Sequence, residues 1–396
     1  MIFTFIKIIF FLPFIGLIIT IRPFKHIRIG YLGCERIGNF YEAELYKIYY
    51  KNNIKYFDIW THGLFYSNSQ FKKLVNRNFK IYYGLKNFYF ILNLLSKYLP
   101  YLENHLILKS KEDFTFDKKM KLFQSKNICK LNSKEKKQGD LFLKKLNIPL
   151  KAKIVCLSIR DSNYLKRRFP KFDFSYHNFR DTEPNDFKKT IKLLLSEGFF
   201  IFRMGKKIEK KLNFKHKRLI EISFLDDYDD FLDFYLAQKC YFWIGTGSGL
   251  DNVAVAYKKP CLFINFIPPA WLPLHRGKIV VTLKKFYSQV EKKYLSLNKI
   301  FNENLTSVNR AEIFKEKKIK IVNNNSNEIK NSVVNFLKLL KNDWKLSNMD
   351  NKLKNKFLNK YRVLLKKKKL DKKFHGNFFT GHVCPSFIKN NMWLLR

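Results

Sequence analysis

The chain predicts an α/β protein: two Rossmann-like domains facing each other across a cleft, preceded by a hydrophobic segment and followed by C-terminal helices. Three observations predict it. Residues 241–244 form a short apolar, aromatic and β-branched run, and three of the five residues in 245–249 are glycine. After Leu250, the residues Val253, Ala254 and Tyr257 recur at helical spacing until Pro260, and a second apolar run, Cys261–Phe266, follows. Upstream, His26–Leu32, the loop 33–39 and the amphipathic stretch 40–50 repeat the order strand, glycine loop, helix. Between these units strand-like and helix-like segments alternate, as in a parallel sheet covered on both faces.

The composition bounds the partners. With 396 residues the chain can bury two full cores, and 77 Lys+Arg against 32 Asp+Glu leave a net charge of +45. Such a field favours anionic partners: phosphorylated substrates, an acidic lipid surface or nucleic acid. The basic residues are spread along the chain beside many Asn, Ile, Phe and Tyr residues, a bias expected from an A/T-rich genome. An anionic membrane surface therefore ranks above nucleic acid, and no specific nucleic-acid partner is expected. The six cysteines, at 34, 129, 156, 240, 261 and 384, show neither CxxC nor zinc spacing and read as reduced, mostly buried thiols.

In chain order, residues 1–22 are the membrane-associating segment. The uninterrupted apolar stretch 8–19 is shorter than the ~20 residues of a spanning helix. No small-residue cleavage site follows, and Arg22, Lys25 and Arg28 form a flank that stays on the cytoplasmic side. The expected location is the cytoplasmic face of the inner membrane, peripheral or N-terminally anchored. Residues 23–145 are the first Rossmann-like domain, with a lysine-rich connection over 109–137. Residues 146–325 are the second, and 326–396 are C-terminal helices and an apolar tail that packs back on the body.

In the second domain strands are expected at 154–159, 199–203, 219–222 and 241–244. Ligands of parallel sheets sit at the carboxyl ends of the strands. Arg160, Arg203 with Gly205 and Lys206, and the turn Thr246, Gly247, Ser248 and Gly249 all fall there. Glycines let the backbone approach a ligand closely, and a helix start offers N–H groups to an anion. A βα turn without ligand, an Arg160 ion pair with Asp161 or Asp173, and simple capping by Thr246 or Ser248 remain the plainer alternatives. The acidic cluster 226–230 precedes a helix and reads as dipole complementation rather than as a metal site. No metal and no cofactor are expected.

Several of these segments carry a resemblance: 158–164 with Ser158, Arg160 and Tyr164; 176–180; 202–205; 244–251; and also 36–38, 67–70 and 385–391. Together they resemble an uncharacterised family of bacterial glycosyltransferases associated with surface-polysaccharide (O-antigen-type) gene clusters, over nearly the whole chain. More distantly, the strand ending in Arg160 is similar to the His-x-Arg signature of fucosyltransferases, and 244–260 to the donor-binding turn of heptosyltransferases. The resemblance implies the two-domain GT-B fold, donor binding in the second domain and metal-independent transfer. One departure stands: the family usually has His where this chain has Ser158, so the work of that imidazole is absent.

The expected activity is transfer of a hexosyl or deoxyhexosyl group from a nucleotide-diphosphate donor to a glycan or lipid-linked saccharide acceptor. Arg160, Tyr164, Arg203, Gly205, Lys206 and the turn 246–249 would bind the donor. Glu35 and then Asp161 are the candidates for acceptor deprotonation, and Gly38 and Asn39 would contact the acceptor. A nucleotide-sugar epimerase, or a basic membrane-surface or nucleic-acid binding protein, are the competing readings.

Overall fold

The computed structural model of this chain describes residues 2–50, 55–107, 117, 120–206, 208, 210–371 and 379–396. The first domain is built on β1 (His26–Leu32), β2 (Tyr56–His62) and β3 (Leu106–Ile107), a parallel sheet of order β2–β1–β3. The helix Phe40–Tyr49 buries Phe40, Tyr41, Leu45 and Tyr46, the face that its apolar spacing marks.

The second domain carries seven parallel strands: β4 (Ile154–Ser158), β5 (Phe200–Met204), β6 (Leu219–Glu221), β7 (Phe242–Gly245), β8 (Cys261–Phe266) and β9 (Ile279–Leu283), with β13 (His382–Val383) at one edge. Their order is β13–β9–β8–β7–β4–β5–β6. From β4 the chain builds outward through β5 and β6. It then returns to the other side of β4 and builds the opposite way through β7, β8 and β9. The switch lies between β4 and β7, where Ser158 pairs with Gly245. A crevice opens at such a point because the two flanking connections leave to opposite faces of the sheet. The two-domain α/β architecture expected from the sequence is therefore present, with the switch point facing the first domain.

Between β9 and the C-terminal helices lies an element without a sequence expectation. It is an antiparallel sheet of β10 (Lys285–Ser288), β11 (Lys293–Tyr294) and β12 (Ile319–Val322), in the order β11–β10–β12. The segment 326–396 is part of the second domain. Helix Ser326–Lys341 packs on helix Lys188–Ser196, and β13 extends the main sheet beside β9.

The helix Ser133–Lys145 ends at the boundary placed at 145 and touches both domains. Its capping-box residue Glu135 accepts from Gln70 and Arg77 of the first domain, while Asp140 accepts from the Tyr235 hydroxyl of the second at 2.6 Å. Of the lysine-rich connection, 109–116, 118 and 119 lie outside the described residues.

The N-terminal segment is one helix, Ile2–Thr20, with Pro13 inside it. Its 18-residue stretch Phe3–Thr20 is long and apolar enough to cross a membrane by length and composition, longer than the stretch 8–19 suggests, because the apolar turn before Lys7 joins it. Ile15 and Ile18 are buried in a small cluster with Phe88, Leu92 and β1, while Phe3, Phe5, Ile9, Phe10, Phe14 and Leu17 are exposed. All six cysteines are buried and free.

Candidate functional site

A cleft of about 750 Å³ lies over the switch point, lined from the first domain by Arg36, Gly38 and Ser67 and from the second by Arg160, Gly205 and Ser248, among others. Its floor is the turn after β7. Gly247 has φ +80°, a conformation that L side chains rarely adopt. Asp251, buried beneath the turn, accepts from Trp243 Nε1 at 2.8 Å and from the Ser248 backbone N–H at 2.6 Å. A Cβ on Gly245 would run into that carboxylate. Burial, opposed by these hydrogen bonds, raises the Asp251 pKa to about 6. The Ser248 N–H is thus held by a carboxylate of the protein.

Ser158, at the end of β4, has its hydroxyl 3.0 Å from that of Ser248. Where the resemblance expects an imidazole, the chain has a serine tied to the glycine turn. The Thr246 hydroxyl accepts from the Arg160 backbone N–H at 2.8 Å, and Thr246 is buried. It joins the ends of β4 and β7 rather than facing the cleft.

Cations crowd this end of the sheet. Arg160 Nε is 3.2 Å from Asp181 Oδ1, not from Asp161 or Asp173. Arg180 donates to the Gly247 carbonyl at 2.8 Å, and Lys284 Nζ donates to the carbonyls of Phe179 at 2.8 Å and Asp181 at 2.6 Å. Burial is the first cause of every shift here. It lowers Arg160, and with the neighbouring Arg160 charge it lowers Arg180 to about 10. Lys284 falls to about 7, burial and the two arginines outweighing Asp181. His177 falls to about 4 through burial, Arg180 and Arg160, and its Nδ1 has no partner among the described residues. Burial also raises Asp181 against the pull of Arg160. Two guanidinium groups and Lys284 thus crowd around Asp181, beside an imidazole that is held neutral. Buried cations with few counter-charges favour an anion.

The first domain meets this floor closely. A Cβ on Gly38 would lie 3.2 Å from Gly249 Cα, and Asn252 Nδ2 donates to the Gly38 carbonyl at 3.3 Å. Gly38 and Gly249 are the point where the two glycine loops touch. The Asn39 amide donates to the Gly33 carbonyl at 2.7 Å, so it holds its own loop. Glu35 accepts from the Tyr31 hydroxyl and lies 3.5 Å from Lys86 Nζ. Asp161 accepts from the Asn163 N–H at 3.0 Å and lines the cleft, as Glu35 does.

Further along the cleft, the Tyr164 hydroxyl accepts from Arg168 at 2.8 Å, and Arg168 crosses to the Tyr66 carbonyl of the first domain at 2.7 Å. Lys206, beside Gly205, pairs with Asp230 at 2.6 Å, and Asp230 also accepts from the Ser69 N–H at 2.7 Å. In the acidic cluster, Asp227 pairs with Lys145 and Asp229 accepts from Phe231 N–H at 3.0 Å. Arg203 requires a correction. It is fully buried, does not line the cleft, and donates to Glu221 and to the Lys210 carbonyl. As the penultimate residue of β5 it lies opposite Glu221 of β6, so its side chain is held on the sheet rather than beyond the strand end.

The structure thus gathers Arg160, Tyr164, Gly205, Lys206, Gly247, Ser248 and Gly249 with Glu35, Gly38, Asn39 and Asp161 around one cleft, and leaves Arg203 and Thr246 out. Arg180, His177 and Lys284 carry no sequence expectation as binding residues. The first two stand in a loop whose only signal is the 176–180 resemblance, and Lys284 follows an unremarked strand.

No family model matches the sequence, and no curated protein matches it. Among solved structures, a glycosyl transferase family 9 protein from Veillonella parvula superposes with TM-score 0.42 at 10% identity, covering 72% of this chain and 90% of its own. The E. coli ADP-heptose LPS heptosyltransferase II gives 0.39 at 11%, covering 65% and 90%. S. aureus MnaA with UDP gives 0.34 at 11%, covering 80% and 97%.

Proposed function

We propose that this protein is a glycosyltransferase of the two-domain GT-B type, moving a sugar from a nucleotide-diphosphate donor to a glycan acceptor, lipid-linked and part of a cell-surface polysaccharide. The observation that carries the reading is the pair of buried guanidinium groups, Arg160 and Arg180, that line the cleft at the switch point, with Lys284 buried beside Asp181. A leaving nucleoside diphosphate develops negative charge as the glycosidic bond to phosphate breaks, and fixed cations in a partly desolvated cleft stabilise that charge. The acceptor oxygen forms the new bond to the anomeric carbon, and its proton passes to a cleft carboxylate, Glu35 or Asp161. Cationic side chains do here what a divalent ion does elsewhere.

The test is a thermal-shift panel of GDP-, UDP-, ADP- and CMP-sugars with and without excess chelator. A specific donor at 100 times its Kd stabilises by roughly 2.7 kcal/mol, and the shift is expected to survive chelation. No stabilisation by any donor at high concentration would remove the reading. A shift abolished by chelator and restored by manganese would remove its metal independence.

The exposed apolar face of helix Ile2–Thr20 and its basic flank support a membrane-associated enzyme working on the cytoplasmic face. Full-length protein is expected in the membrane pellet, and a form lacking 1–21 in the supernatant of low-salt buffer. Equal solubility of both would count against the anchor.

A further inference from the structure

One carboxylate of the cleft has no role in the account above. Asp233 lies in the first turn of helix Phe231–Lys239 and is 3% exposed. Its Oδ2 accepts from the Asn68 amide of the first domain at 3.0 Å and from the Tyr228 hydroxyl at 3.1 Å. Its Oδ1 has no hydrogen-bond partner among the described residues, although the residue lines the cleft. Leaving a buried carboxylate oxygen without a donor is costly. The helix does not need it as a cap, because Asp229 already accepts from the Phe231 N–H at 3.0 Å. A buried acceptor at the cleft wall, fixed through one oxygen and unpartnered at the other, can take a donor that arrives with the ligand.

An ionised phosphate offers no donor and is repelled by a carboxylate, and the donors that a nucleotide-sugar carries in number are its hydroxyls. We propose that Asp233 is a hydroxyl-binding residue of the cleft: Oδ1 accepts from a hydroxyl of the ribose or of the transferred sugar, while Asn68 and Tyr228 hold the carboxylate through Oδ2. The proposal rests on the nucleotide-sugar reading of the cleft.

It has a proton signature. Burial first, then the nearby Asp230, raises Asp233 to about 7, against the hydrogen bonds of Tyr228 and Asn68 and the charge of Lys206. Tyr164 stands behind Tyr228, and on the packed helix Ser133–Lys145 the nearest acid, Asp140, is taken by Tyr235 and Lys239. A hydroxyl donating to Oδ1 favours the ionised carboxylate and lowers its pKa in the complex, so binding releases a proton and tightens as pH rises from 6 to 8. For a free pKa near 7 that gain is about tenfold. Lys284 and Asp251 titrate in the same range, but they are present in wild type and variant alike, so the ratio of the two affinities isolates Asp233.

The experiment is isothermal titration calorimetry at pH 6, 7 and 8 on full-length wild type and Asp233→Asn. The ligands are UDP, GDP and ADP, their 2′,3′-dideoxy forms and their glucose conjugates. The asparagine keeps an oxygen for Asn68 and Tyr228 and replaces the open acceptor by a donor. The expected result is a loss of about tenfold or more in the variant at pH 8 that shrinks towards pH 6. In wild type, removing the responsible hydroxyl reproduces that loss without any mutation. Loss in the dideoxy forms assigns the ribose, and an effect confined to the glucose conjugates assigns the transferred sugar. Equal affinity of wild type and variant at every pH overturns the proposal while the nucleotide-sugar reading stands. An effect that persists undiminished without either set of hydroxyls also overturns it. Binding of no nucleotide by wild type removes both.

Discussion

Replacing Arg160 by alanine is expected to lower transfer efficiency (kcat/KM) roughly 10- to 150-fold, the 1.5–3 kcal/mol of a hydrogen bond to a charged group. The guanidinium can grip a phosphate with two parallel N–H groups, which a lysine cannot, so Arg160→Lys should recover only part of the loss. Arg180→Ala should cost a similar factor, because Arg180 faces the same anion and also holds the Gly247 carbonyl. The double variant should lose less than the product of the two, as residues serving one ligand do. The stability of the ligand-free protein should move the other way. Arg160 and Arg180 are each disfavoured as cations by burial, and Arg180 additionally by the Arg160 charge, so removing Arg160 relieves Arg180. A melting temperature that is unchanged or raised, with donor affinity lost, separates a binding role from a structural one. Full donor affinity in both folded single variants would rule out this assignment.

Gly247→Val is expected to be at least as damaging. A Cβ there would meet only the Phe266 ring at 3.6 Å, so open space is available and the backbone is the obstacle. At φ +80° a β-branched residue is strained by roughly 1–3 kcal/mol. The chain can relieve that strain only by moving the turn that positions Ser248, the carbonyl bound by Arg180 and the contact with Gly38. Gly84, at φ +86° with nothing near its Cβ, is the internal control. Gly84→Val should impose a comparable backbone strain and leave donor binding intact. Circular dichroism and melting curves on both variants, set against donor titrations, read the difference. Equal donor affinity in the two would show that the turn does not touch the ligand.

Most strands of the two parallel sheets were legible as short β-branched or aromatic runs, several of them closed by glycine or proline, while β3, β9 and β13 were not; the parallel arrangement follows from the alternation with helices. β1 and β8 match the sequence expectation at both ends. The small antiparallel sheet was not legible: β10 begins at Lys285 after a single residue from β9, and β11 is the exposed pair Lys293–Tyr294. Short edge strands carry too few residues to show a period. Arg203 shows a second limit. Sequence places it at a strand end, but one residue decides whether a side chain lies on the sheet or projects past it, and its pairing opposite Glu221 settles that.

The sequence by itself determined the alternation of strands and helices, the two glycine loops, the apolar N-terminal run and the excess of cations, since local periodicity, backbone permissiveness and charge are properties of neighbours along the chain. The tertiary structure decided which cations meet. Arg160 and Arg180, from the long connection after β4, and Lys284, after β9, gather around Asp181 only in the folded chain. It also decided that Asn68 of one domain holds Asp233 of the other, and that Gly38 lies against Gly249. Electrostatic crowding and an orphaned carboxylate oxygen depend on distance and desolvation in three dimensions, and neither leaves a mark in the order of residues.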